Sequence, residues 1–158
     1  MIYHSKKKGS FDAMIRKART AYKYCIGIDT GVHTGVAVWN REERRFEILA
    51  EMKIHKAMFI VSEYVKAAGD KVLVRVEDAR KRNKFGERSE FKLQGAGSVK
   101  RDSTIWEDYL KDLKIDYNMV APQNNHTKLD SETFAKLTGY SGKTNEHNRD
   151  AGMLVFGL

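Results

Sequence analysis

Cysteine and proline are nearly absent, with one of each in 158 residues, and no apolar run approaches the roughly 18 residues of a membrane span. A single thiol, Cys25, excludes an intrachain disulfide framework and points to a reducing compartment, the cytoplasm. The basic N-terminus lacks the apolar stretch of a secretory leader, which agrees with that expectation. Histidine is sparse as well: His4, His33, His55, His126 and His147 have no paired spacing with one another or with Cys25, so no zinc site is written in the chain. No serine or cysteine sits in a nucleophile elbow. Acid is in the minority, 21 Asp and Glu against 29 Lys and Arg, for a net charge of +8 and a pI near 9.5. Such a balance favours polyanionic partners through counterion release, without choosing among DNA, RNA and an acidic membrane.

One motif lacks its key residue. Gly139-Tyr140-Ser141-Gly142-Lys143-Thr144 suggests a phosphate-binding loop, but that loop needs a glycine where Leu137 stands, and it should follow a strand. The 14 residues after Thr144 leave no room for a nucleotide-binding sheet, so an ATPase is rejected. Lys143 remains a candidate phosphate contact.

What is present suits one domain with a sizeable core, at 41% hydrophobic content. Residues 1–22 read as a basic extension: Lys6, Lys7 and Lys8, then a helix capped by Ser10 with Phe11, Met14, Ile15, Ala18 and Tyr22 on one face. Residues 23–158 form the body. It opens with Tyr24 to Trp39, an apolar run ending in Asp29, a Gly/Thr turn and a second alternating run, the pattern of a β-hairpin. Gly27, Gly31 and Gly35 are expected to leave room for a phosphate or a metal-bound oxygen. Phe46, Ile48, Ala50 and Met52 alternate as a third strand with one buried face. A helix follows from His55 to Ala68, stopped by Gly69. Then Val72 to Val76, β-branched and interior in character, ends on Glu77 and Asp78.

From Ala79 to Arg88 the chain is at its most basic, with Arg80, Lys81, Arg82, Lys84 and Arg88 around Phe85. That pattern suits phosphate contact, with Phe85 as a stacking or wedging residue or as an anchor for the loop. A helical stretch from about Ser89, interrupted at Gly95-Ala96-Gly97, carries an apolar stripe through Ile105, Trp106, Tyr109, Leu110 and Leu113, for the core or in part for a dimer face. A short fifth strand around Tyr117, Met119 and Val120 stops at Pro122. A helix from Leu129 to Leu137 and a last one from Glu146 to about Phe156 complete the chain. In the last, His147 and Asp150 lie three apart on one face. Asp29, Glu77 and Asp150 thus stand at element ends, and hard divalent cations that activate phosphodiester cleavage prefer such oxygen ligands. Asp78 is a reserve ligand, expected to point away from Glu77 because strand neighbours face opposite sides.

Ile26-Gly27-Ile28-Asp29-Thr30-Gly31 with Thr34-Gly35, Val74-Arg75-Val76-Glu77, and His147-Asn148-Arg149-Asp150-Ala151, in that order, resemble the signature of RuvC-type Holliday-junction resolvases in the ribonuclease H-like superfamily. The resemblance runs from about Tyr24 to the end. It implies an α/β ribonuclease H-like fold, a five-stranded mixed sheet flanked by helices. It also implies an endonuclease dependent on Mg²⁺, with Mn²⁺ as a substitute, that cuts branched DNA, above all four-way junctions, as a homodimer. On this resemblance Asp29, Glu77 and Asp150 are metal ligands, His147 is a catalytic partner of the nucleophilic water, and Lys128 is a basic residue beside the site. Three departures mark a divergent member, such as one carried by a phage or mobile element. Thr30 replaces the usual proline, Phe85 lies farther past the Glu than the family's wedge residue, and the basic extension is additional. A structured-RNA nuclease of the same fold and a non-cleaving nucleic-acid-binding protein are the alternatives.

Overall fold

The structure, a computed structural model, describes residues 22–82, 90–124 and 128–158, with main chain only for 90–96. Lys84, Phe85, Arg88 and all of the basic extension except Tyr22 lie outside the described residues.

The expected hairpin forms from β1 (Tyr24–Asp29) and β2 (Thr34–Asn40), antiparallel, with Asp29 opposite Gly35. β3 (Arg45–Met52) adds to the free edge of β2, again antiparallel. The chain then crosses over through α1 (Ile54–Ala68) to β4 (Val72–Glu77), which pairs parallel with β1. A second crossover through α2 (Glu90–Leu113) delivers β5 (Asp116–Val120), parallel to β4. Two short helices, α3 (Ser131–Thr138) and α4 (Glu146–Met153), finish the fold. The strand order β3-β2-β1-β4-β5 makes a five-stranded mixed sheet. Because β1 and β4 run parallel and end in Asp29 and Glu77, both acids stand at the same end of the sheet.

Period-2 alternation sorts the side chains into two cores. Ile26, Ile28, Val36, Val38, Val74 and Val76 pack against Ala57 and Val61 of α1 and Trp106 and Leu110 of α2. Cys25, Ala37, Trp39 and Leu73 pack on the other face against Phe134 of α3 and Ala151, Leu154 and Val155 near the chain end. Alternation from Cys25 and Leu73 puts Asp29 and Glu77 on this second face, beneath α4. Tyr22 is buried in the same core, its hydroxyl on Asp116.

Four details depart from the sequence expectation. β3 is covered on both faces: a register shift between Val38 and Trp39 sets Phe46 opposite Trp39 on the α3/α4 side, while Ile48 and Met52 face α1. The helix expected to break at Gly95-Ala96-Gly97 is continuous from Glu90 to Leu113. The last helix ends at Met153, three residues before the expected Phe156. Gly27 and Gly35, expected to leave space for a ligand, are covered by α4. A Cβ on Gly27 would lie 2.1 Å from the carbonyl oxygen of Ala151, and one on Gly35 would lie 2.0 Å from that of His147. Main chain fills the space a side chain would need.

Gly27→Ala and Gly35→Ala should therefore each lower unfolding stability by about 2–3 kcal/mol, because α4 must lift from the sheet. Gly97→Ala, whose Cβ meets nothing within 4 Å, should be neutral or gain about 0.5–1 kcal/mol by removing a helix-interior glycine. Urea unfolding of the three variants measures this, and equal losses in all three would contradict the packing account.

Candidate active site

Two strand ends and one helix build the site. The hydroxyl of Thr30 donates to the main-chain oxygen of Glu77 at 3.3 Å, tying the turn after β1 to the end of β4. Thr34 holds the far side of that turn by donating to the Gly31 carbonyl at 2.9 Å. α4 starts at Asn145, whose side-chain oxygen accepts the Asn148 N–H at 3.0 Å, while the Asn148 side chain accepts the Asn145 N–H at 2.9 Å. This reciprocal cap satisfies two main-chain donors that a helix start leaves open. Beyond the helix, the Arg75 guanidinium on β4 donates to the Leu154 carbonyl at 2.7 Å. Fixed at both ends, α4 sets His147 Nδ1 3.0 Å from Asp29 Oδ2. One turn on, Asp150 Oδ1 accepts the main-chain N–H of Lys128 at 3.1 Å.

The electrostatics follow from this crowding. Burial pushes the Asp29 carboxyl up to about 7; the hydrogen bond from His147 opposes the rise, and the negative charges of Glu77 and Asp150 add to it. Asp150 is raised too, chiefly by burial, against the pull of the Lys128 N–H, with the Glu146 charge adding to the rise. Asp29, Glu77 and Asp150 therefore share one negative field, and His147 opposes it at both Asp29 and Asp150. Among the described residues no three His, Cys, Asp or Glu side chains form a group able to hold a metal ion. The donor chemistry still fits a hard cation, since Mg²⁺ is commonly held by one or two carboxylates with water and substrate phosphate completing its shell.

Asp78 points away from the acids, as expected: buried, it accepts from Arg80 Nε at 2.8 Å and Nη2 at 2.8 Å. Arg80 also reaches Glu107 of α2 at 2.7 Å, so its guanidinium braces the loop after β4 as an internal ion-pair bridge. Lys81 donates to the Met119 carbonyl at 2.7 Å. Arg82, Lys128 and Lys143 are exposed, and the Lys128 main chain touches Asp150.

Several contributors carry little sequence signal. Thr30 stands out only as the replacement for a proline, and Arg75 only as a cation in an apolar strand. The Asn145–Asn148 cap follows the general helix-start pattern. Glu51 and His33 carry no local signal at all: Glu51 accepts from Asn145 Nδ2 at 2.6 Å and pairs with His33 Nδ1 at 2.6 Å.

The raised Asp29 carboxyl has a consequence for stability. Between the ordinary 3.8 and about 7, the folded protein holds a proton that the unfolded chain has released, so this group's contribution is fully present below pH 4 and is lost by about pH 7. The shift corresponds to at most about 4 kcal/mol. Asp29→Asn should match the wild type near pH 4 and become the more stable protein toward pH 8. Urea titrations across that range measure it, and a pH-independent gap would contradict it.

No protein-family model matches the sequence, and no curated protein matches it. Among solved structures, T. thermophilus RuvC in complex with Holliday junction substrate is similar in fold, with a TM-score of 0.54 at 15% identity over 84% of this chain and 90% of that one. With the five-stranded mixed sheet and its flanking helices, this likeness gives the chain a ribonuclease H-like fold.

Proposed function

We propose that the protein is a divalent-metal-dependent nuclease that cuts branched DNA, with the four-way junction as its preferred substrate and a homodimer as its working form. The observation that carries this reading is the buried Asp29 carboxyl, held up to about 7 with Glu77 and Asp150 crowding it at one end of a ribonuclease H-like sheet. A cluster of that sign is an unfavourable arrangement for a protein that only binds a polyanion, and a favourable one for a protein that brings cations to a phosphodiester.

Asp29, Glu77 and Asp150 are the carboxylates from which one or two at a time would hold Mg²⁺, or Mn²⁺ in its place, with water and substrate phosphate completing the shell. The metal would supply charge neutralisation at the attacking and leaving oxygens. His147 contributes in two ways: its Nδ1 fixes the Asp29 carboxylate, and its imidazole can carry a proton to or from water beside the scissile bond. Arg82, Lys128 and Lys143 are exposed cations for the DNA backbone. Lys84, Arg88 and Phe85 belong to the same proposed interface, in the segment outside the described residues. Arg80 and Lys81, which also bond Asp78, Glu107 and the Met119 carbonyl, stand at the start of that basic segment and belong to the same proposed interface. A four-way junction is two-fold symmetric and needs two matched cuts, which a two-fold dimer provides. T. thermophilus RuvC, solved with such a junction, supports this choice of substrate.

Synthetic four-way junction, Y-shaped DNA, linear duplex and a structured RNA, compared side by side in titrated Mg²⁺, test the reading. Paired symmetric nicks confined to the junction are expected; cutting of RNA alone would overturn the substrate. Asp29→Asn, Glu77→Gln and Asp150→Asn should each lose on the order of a hundredfold or more in cleavage rate, the cost of removing several kcal/mol of transition-state charge stabilisation. His147→Ala should lose about a hundredfold, as expected for a proton carrier. Wild-type activity no higher than that of Asp29→Asn would leave a binding protein without catalysis.

A further inference from the structure

The acid cluster has a neighbour that the reading above does not use. His33 sits in the turn between β1 and β2, four residues past Asp29. Its ring stacks beside that of His147, with centroids 6.0 Å apart and planes within 20°. Each imidazole meets a carboxylate through Nδ1: His147 meets Asp29 at 3.0 Å, and His33 meets Glu51 at 2.6 Å. Glu51, near the end of β3, is itself held by the Asn145 amide at 2.6 Å, the residue that caps α4. The chain of contacts Asn145–Glu51–His33, laid against His147–Asp29, thus couples the helix start to the turn at the site mouth.

An ionised carboxylate only accepts, so Glu51 fixes Nδ1 of His33 as the donor and leaves Nε2 as the ring nitrogen for a ligand. The side chain is 61% exposed. Ion pairs this exposed add little stability, yet holding the ring still costs rotamer freedom. An exposed ring kept in one orientation next to a reactive centre is arranged for something that arrives from solvent.

We propose that His33 is a substrate-contacting residue that, as an imidazolium, donates from Nδ1 to Glu51 and from Nε2 to a phosphate oxygen of the nucleic-acid strand that lies across the acid cluster, and that Glu51 is its positioning residue. In the imidazolium form that bond is charge-assisted and directional. This inference rests on the nuclease reading for its ligand, a phosphodiester backbone, and adds the residue that seats it.

The test uses the full-length chain and a synthetic four-way DNA junction, with wild type, His33→Ala, His33→Gln, Glu51→Gln and the double variant His33→Ala/Glu51→Gln. Unfolding curves first establish that each is folded. Single-turnover cleavage by His33→Ala should fall about ten- to a hundredfold, the usual consequence of losing a hydrogen bond to a charged group. Glu51→Gln, which keeps an oxygen to accept from the Asn145 amide, should lose less, and the double variant should be close to His33→Ala, because the charge of Glu51 acts through His33. Added imidazole should restore part of the His33→Ala rate, and His33→Gln, which keeps an N–H at the same reach, should retain more activity than His33→Ala. Junction affinity in EDTA should weaken in His33→Ala, with a salt dependence shallower by about one counterion. If the wild type cuts and His33→Ala cuts and binds equally well, the His33 proposal is overturned and the nuclease reading stands. If the wild type binds the junction without cutting, the nuclease reading fails and the affinity and salt slope alone decide His33. A wild type that neither cuts nor binds overturns both.

Discussion

The structure depends on main chain meeting main chain at two glycines. α4 has eight residues, and Glu146, His147, Asn148, Arg149 and Asp150 make its first turns almost wholly polar. A helix this short does not hold together in water by itself. It is stable here because Gly27 and Gly35 let its carbonyls lie directly on β1 and β2, closer than any side chain would permit. The Asn145–Asn148 cap holds one end, and the Arg75 guanidinium on the Leu154 carbonyl holds the other. Once the helix is that close, the carbonyl of His147 lies over Gly35, directly across the ladder from Asp29, and the His147–Asp29 contact follows from the register. The site geometry is thus a by-product of dense packing underneath it.

That packing also explains how the fold tolerates its own electrostatics. Bringing Asp29 out of water beside Glu77 and Asp150 is unfavourable, as the raised Asp29 carboxyl shows. The offset comes from elsewhere: two apolar cores on opposite faces of the sheet, and pairs such as Asp78–Arg80–Glu107 that tie the first residues after β4 to α2. The acid end of the sheet and the basic loop that follows are therefore linked by more than sequence proximity. Asp78, one residue from Glu77 and on the opposite face, anchors the loop without drawing its arginine toward the acids.

How much of this was legible in the sequence depended on whether the signal was local. The strands were readable because each apolar run has period-2 or β-branched character and two of them end in acids, and parallel pairing then brings Asp29 and Glu77 to the same end. His147 and Asp150 were readable from their spacing on one helix. The glycines stand out in the sequence but suggest space for a ligand, because a sequence does not say which neighbour will occupy a gap. The basic surroundings of Arg80 suggest a phosphate contact but say nothing of its ion pair with Glu107, which is 27 residues away on another helix. The Phe46 bulge and the Glu51–His33 pair were hidden for the same reason, since both arise from register between strands and turns distant along the chain.

A ribonuclease H-like sheet could be built with neutral residues at these positions, and it would be freer of strain: Asn in place of Asp29 keeps an acceptor for His147 and removes the repulsion from Glu77 and Asp150. The chain instead holds an ionisable group, largely buried, with a pKa near neutrality, next to an imidazole that touches it directly. Such a group changes its charge readily when a cation or a phosphate approaches, whereas an amide does not. The same desolvation that makes Asp29 unfavourable for stability strengthens its attraction for a positive charge, because both effects scale with the loss of water screening. Local instability and chemical capacity at this end of the sheet therefore have one physical origin.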